Sequence, residues 1–165
     1  MTRHRPAGPF LVAVILLVSL DLTAKWWAVN HLAGGSRSLP GPVDLQLSYN
    51  TGIAFGLVSD LPSSILVVLT AAALTGVVHL WRTKQAPTGP AILFVAGGAA
   101  NVVDRIEGAG VVDMLHTGWW PTFNIADVLI TTGLAWWLIA TLLAPDPQDE
   151  DSPTDFDGTK AQAKP

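Results

Sequence analysis

The sequence contains no cysteine. Disulfides, thiolate metal ligands, thiol nucleophiles and thiol redox relays are therefore excluded. Charge is also scarce: 13% of the residues are charged, against roughly a quarter in ordinary soluble domains. Five of the acids, Asp149, Glu150, Asp151, Asp155 and Asp157, crowd beyond Pro147, so the formal net charge of −4 describes mostly that end. His31, His79 and His116 show no His-Glu-x-x-His spacing, which leaves a zinc peptidase unsupported. Neither a Gly-x-Ser-x-Gly elbow nor a phosphate-binding glycine loop is present. Carboxylates, hydroxyls and histidines outside such motifs remain to carry any chemistry.

Apolar sequence is what the chain has in quantity: half of its residues are hydrophobic. Four runs of it, at about 10–29, 63–81, 90–106 and 125–143, approach the roughly twenty residues that span a bilayer core. A cleaved signal peptide shares the basic start and apolar middle of the first run. Asp21 has no place in such a peptide, however, and further apolar runs follow. The third run is short and gains its length by continuing past Asp104. Pro145 and Pro147 close the fourth, because proline cannot continue a helix. The sequence thus predicts an all-α membrane protein of four transmembrane helices, one domain over 1–145, and a disordered acidic tail over 146–165.

Arg3 and Arg5 before the first run, and Arg82 and Lys84 between the second and third, assign those segments to the cytoplasm. Both termini then lie inside. The loops 30–62 and 107–124 lie outside, with Trp26 and Trp27 at the outer interface. Within the first outer loop, Val43, Leu45, Leu47 and Tyr49 alternate with Asp44, Gln46, Ser48 and Asn50, the period of a half-buried strand. Asn50-Thr51-Gly52 supplies turn chemistry, and Ile53, Ala54, Phe55 and Leu57 form a further apolar patch. The expectation is a small β-structure on the membrane surface, which as an ordinary hairpin would do no more than cap the bundle.

Several polar residues stand where lipid is expected. At about 1.5 Å per residue, Asp21 lies roughly 16 Å into the membrane from Phe10, where a lipid-facing carboxylate costs at least about 2.5 kcal/mol. It must face the bundle or find a partner. Lys25 is on the same helical face, either as an internal ion pair with its ammonium snorkelling outward or with Asp21 bracing a site from below. Asn101 needs hydrogen-bond partners in a dry setting, and Asp104 and Arg105 end the third span. The small residues before Asn101 permit close helix packing. Asn124 and Asp127 read as an N-cap and its capping box. Asp113 reads as a loop residue.

Topology brings Asp113 and Asp127 to the same outer face. Two carboxylates sharing a site do not readily both ionise. The ionised one can take a proton from water attacking an amide, and the protonated one can polarise the carbonyl and protonate the leaving amine. The helix start favours an anion at Asp127, which makes Asp127 the base. Polar residues within spans also fit a small ion- or proton-coupled transporter, or an assembly factor without catalysis. Against transport, no internal repeat of the transporter type is visible.

DLTAK, YNTGIAF, NVVDR, GVVDM and FNIAD occur in this order on a four-span chain. Together, over roughly 16–133, they resemble the lipoprotein signal peptidase (signal peptidase II) family of bacterial inner-membrane aspartic endopeptidases. The resemblance implies cleavage of diacylglyceryl-modified prolipoproteins just before the lipidated cysteine. It implies no cofactor, no metal, no nucleic-acid partner, contact with membrane lipids and inhibition by globomycin-type peptides; the sequence leaves the oligomeric state open, with a monomer as the expectation. It puts the catalytic pair on Asp113 and Asp127. Supporting positions fall on Asp21, Lys25, Asn50, Gly52, Asn101, Asp104, Arg105, Asn124 and Ala126. The implied fold adds a small extracytoplasmic β-cradle and a flexible external segment in the first outer loop. Two departures stand out. Ala100 replaces the family's usual glycine before NVVDR, and Met114 replaces the aromatic after the first aspartate. Both keep the character of the position.

Overall fold

The computed structural model describes residues 5–52, 62–108 and 110–144. Four helices and two strands follow in the order α1 (Ala7–His31), β1 (Asp44–Asn50), α2 (Ser63–Arg82), α3 (Thr88–Glu107), β2 (Val111–His116) and α4 (Ile125–Leu142). The apolar patch at Ile53, Ala54, Phe55 and Leu57, the external segment it belongs to, and the tail expected over 146–165 lie outside the described residues. The helices fall close to the four apolar runs. Prolines open three of them, with Pro6, Pro62 and Pro87 in the N-cap positions of α1, α2 and α3. Gly108 ends α3 in the left-handed conformation at φ 94°, which costs glycine little for want of a Cβ.

Three helices, α1, α2 and α4, are long and apolar enough to cross a membrane. Their large side chains point outward: Leu11, Ile15, Leu16 and Leu20 on α1, Val68 and Leu69 on α2, and Leu134, Leu138 and Ile139 on α4 are all exposed. An apolar exterior is what lipid accepts. The third run is less apolar because α3 packs against all three other helices and buries Ala91, Val95, Ala96, Gly97, Gly98, Ala100, Asn101 and Asp104. A helix screened by its neighbours needs small residues more than greasy ones. Ala100 is fully buried, so the larger residue at this position is accommodated.

Close approach is sharpest at Gly97. A Cβ there would sit 2.4 Å from the Ala126 carbonyl oxygen and 2.8 Å from an Ile130 side-chain carbon. Ala126 belongs to the first turn of α4, one residue before Asp127. Gly97→Ala therefore displaces the start of α4, and with it Asp127, from α3. We expect this variant to lose about 1–3 kcal/mol of stability, the usual result of overpacking a close contact. Thermal unfolding of the purified protein checks this, and a midpoint equal to the parent's would show that α4 does not depend on this contact.

At one end of the bundle, Arg5 Nη1 donates to the Ala86 carbonyl at 2.8 Å and to Thr88 Oγ1 at 3.0 Å. Phe10 stacks on Trp81 with ring centroids 4.0 Å apart. The N-terminus of α1 is thereby tied to the α2–α3 turn. At the other end, β1 and β2 pair antiparallel, with Ser48 opposite Asp113 and Asn50 opposite Val111. This corrects two sequence expectations. The β-structure is not a local hairpin, because its second strand comes from the other outer loop. Asp113 is not a solvated loop residue but a strand residue, 2% exposed. Met114 is buried with Ala28 and Leu32 beneath this sheet, an apolar role that methionine fills as well as an aromatic. Trp26 is 65% exposed near the same end, and Trp27 stacks on His31.

Candidate active site

The site is assembled where the C-terminal parts of α1 and α3, the N-terminus of α4 and strand β2 meet. Lys25 of α1 is at its base. Its Nζ lies 2.7 Å from Asp21 Oδ2, 2.8 Å from Asp104 Oδ2 and 2.9 Å from Asn101 Oδ1. An ammonium has three hydrogens, and three oxygens surround this one. Lys25 is 2% exposed, so it does not snorkel outward as one sequence reading had it. Two inward carboxylates outweigh the pull of the interface. Asp21 spends its other oxygen on the Ala126 N–H at 2.7 Å, gripping the first turn of α4. Asp104 Oδ2 also accepts from the Val112 N–H at 3.1 Å, holding β2 beside Asp113. Asp21 is thus paired with Lys25 and also bonded to the first turn of α4.

Above this layer stand asparagines. Asn124 caps α4: its Oδ1 accepts from the Asp127 N–H at 2.8 Å, and Asp127 Oδ2 accepts from the Asn124 N–H at 3.2 Å. This is the reciprocal capping box expected from the sequence. Because Oδ1 is committed to the helix, Asn124 Nδ2 faces the other way and donates to Asp113 Oδ1 at 2.7 Å. It also reaches the Val112 carbonyl at 3.3 Å. One asparagine thus touches both aspartates. Asn101 Nδ2 donates to Asp127 Oδ1 at 3.1 Å. Asn50 Oδ1 accepts from the Gly52 N–H at 3.0 Å, closing a turn, while its side chain also hydrogen-bonds Asp113. Arg105 donates to the Gly52 carbonyl at 3.2 Å and to the Asn101 carbonyl at 3.3 Å, pinning the end of β1 to α3. All eleven residues singled out from the sequence, Asp21, Lys25, Asn50, Gly52, Asn101, Asp104, Arg105, Asp113, Asn124, Ala126 and Asp127, come together here.

Electrostatics separate the two aspartates. Burial first, and the neighbouring Asp127 second, raise Asp113 from the usual carboxylate range to about 7, against the opposing hydrogen bonds of Asn124 and Asn50 and the charge of Lys25. At neutral pH Asp113 therefore holds a proton for much of the time. Asp127 has a different setting. Both of its oxygens accept hydrogen bonds. Two carboxylates bonded to a single asparagine, one of them held toward its protonated form, have the makings of an acid–base site.

The sequence did not reveal the groove beside this pair. Thr117, Trp119, Trp120, Phe123, Val128, Thr131 and Thr132 line a cleft of about 500 Å³ that has Asp127 in its wall. Its aromatic members come from the β2–α4 connection, where Leu115 and Phe123 form an isolated antiparallel bridge. The Thr117 hydroxyl is buried and has no hydrogen-bond partner among the described residues. Tryptophans at the outer end of a span are expected as interface anchors, which hides any second use of them from a sequence reading. Among the described residues no cluster of histidine and acids could hold a metal ion.

Four helices, an apolar exterior, a buried Asp113 and a half-buried Asp127 in the wall of an aromatic groove fit a helical membrane enzyme of the aspartic class. Comparisons with known proteins narrow this. The family described as "Signal peptidase (SPase) II", Peptidase_A8, matches residues 13–143. The lipoprotein signal peptidase of Streptococcus pyogenes serotype M1 is 33% identical over 141 residues, covering 79% of this chain and 90% of that protein. The same enzyme from serotype M5 (strain Manfredo) is 33% identical over 136 residues, 76% of this chain and 87% of its own. Two solved bacterial membrane enzymes share the fold. One has a TM-score of 0.76 at 23% identity, covering 94% of this chain and 97% of its own. The other has a TM-score of 0.75 at 24% identity, covering 88% and 99%. The chain belongs to the signal peptidase II family of aspartic peptidases. Membership decides against the transporter and the assembly factor.

Proposed function

We propose that this membrane peptidase removes signal peptides from diacylglyceryl-modified prolipoproteins, just before the lipidated cysteine, with Asp113 and Asp127 as its catalytic pair. The observation that carries the assignment is Asn124, which bonds Asp113 through its amide nitrogen and caps the helix at Asp127 through its oxygen. Asp127 accepts a proton from the attacking water. Asp113, protonated, polarises the scissile carbonyl and then protonates the departing amine. The orientation proposed with this mechanism sets Arg5, Arg82 and Lys84 in the cytoplasm and the pair near the outer leaflet, where a lipid-anchored substrate can reach it from the side. Incubating the purified protein in detergent with a diacylglyceryl precursor tests the proposal. Cleavage of an unlipidated precursor at the same rate would overturn the requirement for lipid.

A pH dependence follows. The protonated form of Asp113 is present below about 7 and is lost above it, so kcat/KM declines roughly tenfold per pH unit on the alkaline side. The stability sign is consistent. Between the ordinary carboxylate value near 3.8 and about 7, the folded state holds a proton that the unfolded state has released. Stability from this group is thus complete below that window and falls as pH rises through it. A pH–rate profile flat from 6 to 9 would count against Asp113 as the acid.

The groove offers a second test. A buried hydroxyl without a partner contributes nothing to the fold and costs desolvation. Thr117→Val should leave thermal stability unchanged or slightly raised. If the hydroxyl donates to a substrate carbonyl in the groove, KM or kcat/KM worsens by about three- to tenfold, corresponding to one neutral hydrogen bond. Unchanged kinetics would remove Thr117 from the substrate site.

A further inference from the structure

Asn101 Nδ2 and Oδ1 are nearly the same shape, so an amide in this position has two orientations. Nothing in Asn101 itself decides between presenting N–H or C=O to Asp127. Lys25 decides it. An ammonium only donates, so the atom 2.9 Å from Lys25 Nζ must be the oxygen. A second donor, Asn124 Nδ2, reaches the same oxygen at 3.3 Å. The amide nitrogen is left to face Asp127 Oδ1, at 3.1 Å. Reversing the amide would set N–H against ammonium on one side and oxygen against carboxylate on the other.

We propose that Lys25 is a positioning residue of the dyad, acting on Asp127 through the amide polarity it imposes on Asn101, so that Asp127 Oδ1 always meets an N–H donor. The inference rests on the reading of Asp113 and Asp127 as the catalytic pair. It assigns Lys25 a role beyond its ion pairs. Asp21 and Asp104 hold the ammonium in place, and Asn101 passes its sign, though not its charge, to the reacting group. Asn124 performs the matching service for Asp113, with the helix N-terminus in place of the lysine. The two aspartates thus receive their N–H donors from amides anchored at different points. Asp113, more deeply screened and on a strand, takes the proton.

The charged groups that act on Asp127 are Asp113 on β2 and Arg105 on α3, while Asp104 on α3 and Lys25 and Asp21 on α1 stand behind Asn101. None of them is altered by Asn101→Asp, which preserves shape but puts an oxygen where the N–H faced Asp127. The variant should cleave the diacylglyceryl precursor at least about 100-fold more slowly at pH 6, and the acidic limb of its pH–rate profile should move up by at least about one unit. Lys25→Met combined with Asp104→Asn keeps the charge of the Asp21–Lys25–Asp104 cluster unchanged while removing the donor that orients Asn101. The acidic limb should move in the same direction. This double variant carries the test if the aspartate substitution does not fold, as judged by near-ultraviolet circular dichroism. Profiles that superimpose on the parent after scaling, whatever the loss in rate, would reduce Lys25 and Asn101 to structural roles and overturn the proposal. Asp113→Asn and Asp127→Asn are measured beside them. If either of those still cleaves normally, the catalytic assignment itself has failed, an outcome distinguishable from failure of the relay.

Discussion

Asp113→Asn and Asp127→Asn should each lower cleavage of a diacylglyceryl prolipoprotein by at least about 10³-fold, the upper part of the range for losing a general acid or base. The two variants differ in stability, and the structure says how. Asp113 is already held toward its neutral form by burial, and an amide is a fair copy of a protonated carboxyl. Asp113→Asn therefore folds with little change. Asp127 accepts at both oxygens, from Asn101 Nδ2 and from the Asn124 N–H. An amide at 127 must turn its NH₂ toward one of those donors, which breaks half of the capping box or the contact with Asn101. That costs about 1 kcal/mol, the usual worth of a cap. Single-turnover cleavage and thermal unfolding in the same detergent measure both effects. Substantial processing by either variant would end the two-aspartate mechanism, and equal stability of the two would contradict the donor arrangement around Asp127.

Lys25→Met should be the most damaging single change to the fold. It leaves Asp21 and Asp104 facing each other across a dry gap, with side-chain exposures of 0% and 6%. Removing one member of a buried charged cluster costs about 3–5 kcal/mol, because the remaining charges are stranded. The damage reaches the site by two routes. Asp21 holds the Ala126 N–H on α4, and Asp104 holds the Val112 N–H on β2. Once repelled, they release both elements that carry the aspartates. Adding Asp104→Asn to Lys25→Met should restore part of the lost stability, since one stranded charge is gone. Equilibrium unfolding in mixed micelles would show the order parent, double variant, single variant. Lys25→Met as stable as the parent would mean that water reaches the cluster and that the burial argument is wrong.

Much of this protein was legible beforehand. The helix positions followed from apolar length and from prolines and glycines, which act locally. The capping box at Asn124 and Asp127 is also a local signal, readable because both partners lie within one turn. Strand β1 was legible from its alternation of residues, although a register shift between Leu45 and Ser48 breaks that period in the structure and leaves Tyr49 exposed. What could not be read was its partner, since pairing Ser48 with Asp113 joins two loops across the intervening helices α2 and α3. Nor did sequence spacing show that Lys25 points inward, because a lysine near a helix end has water within reach unless carboxylates from another helix compete for it. The groove around Thr117, Trp119 and Trp120 was hidden because tryptophans at a membrane interface are expected with or without a substrate.

Alone, the amino-acid sequence determined four apolar helices, their order, and a set of polar residues too costly to leave facing lipid. It also determined that, of the groups remaining after the missing cysteines and the unsuited histidines, carboxylates would do any chemistry. Tertiary structure decided everything that depends on which polar group faces which. It set Lys25 against three acceptors, turned Asn101 and Asn124 so that the N–H of each meets an aspartate, buried Asp113 deeply enough to favour its protonated form, and left Asp127 with donors at both oxygens. These outcomes are orientational. A hydrogen bond has a direction and an amide has two ends, and both are settled only when residues from separate helices and strands are brought within about 3 Å of each other.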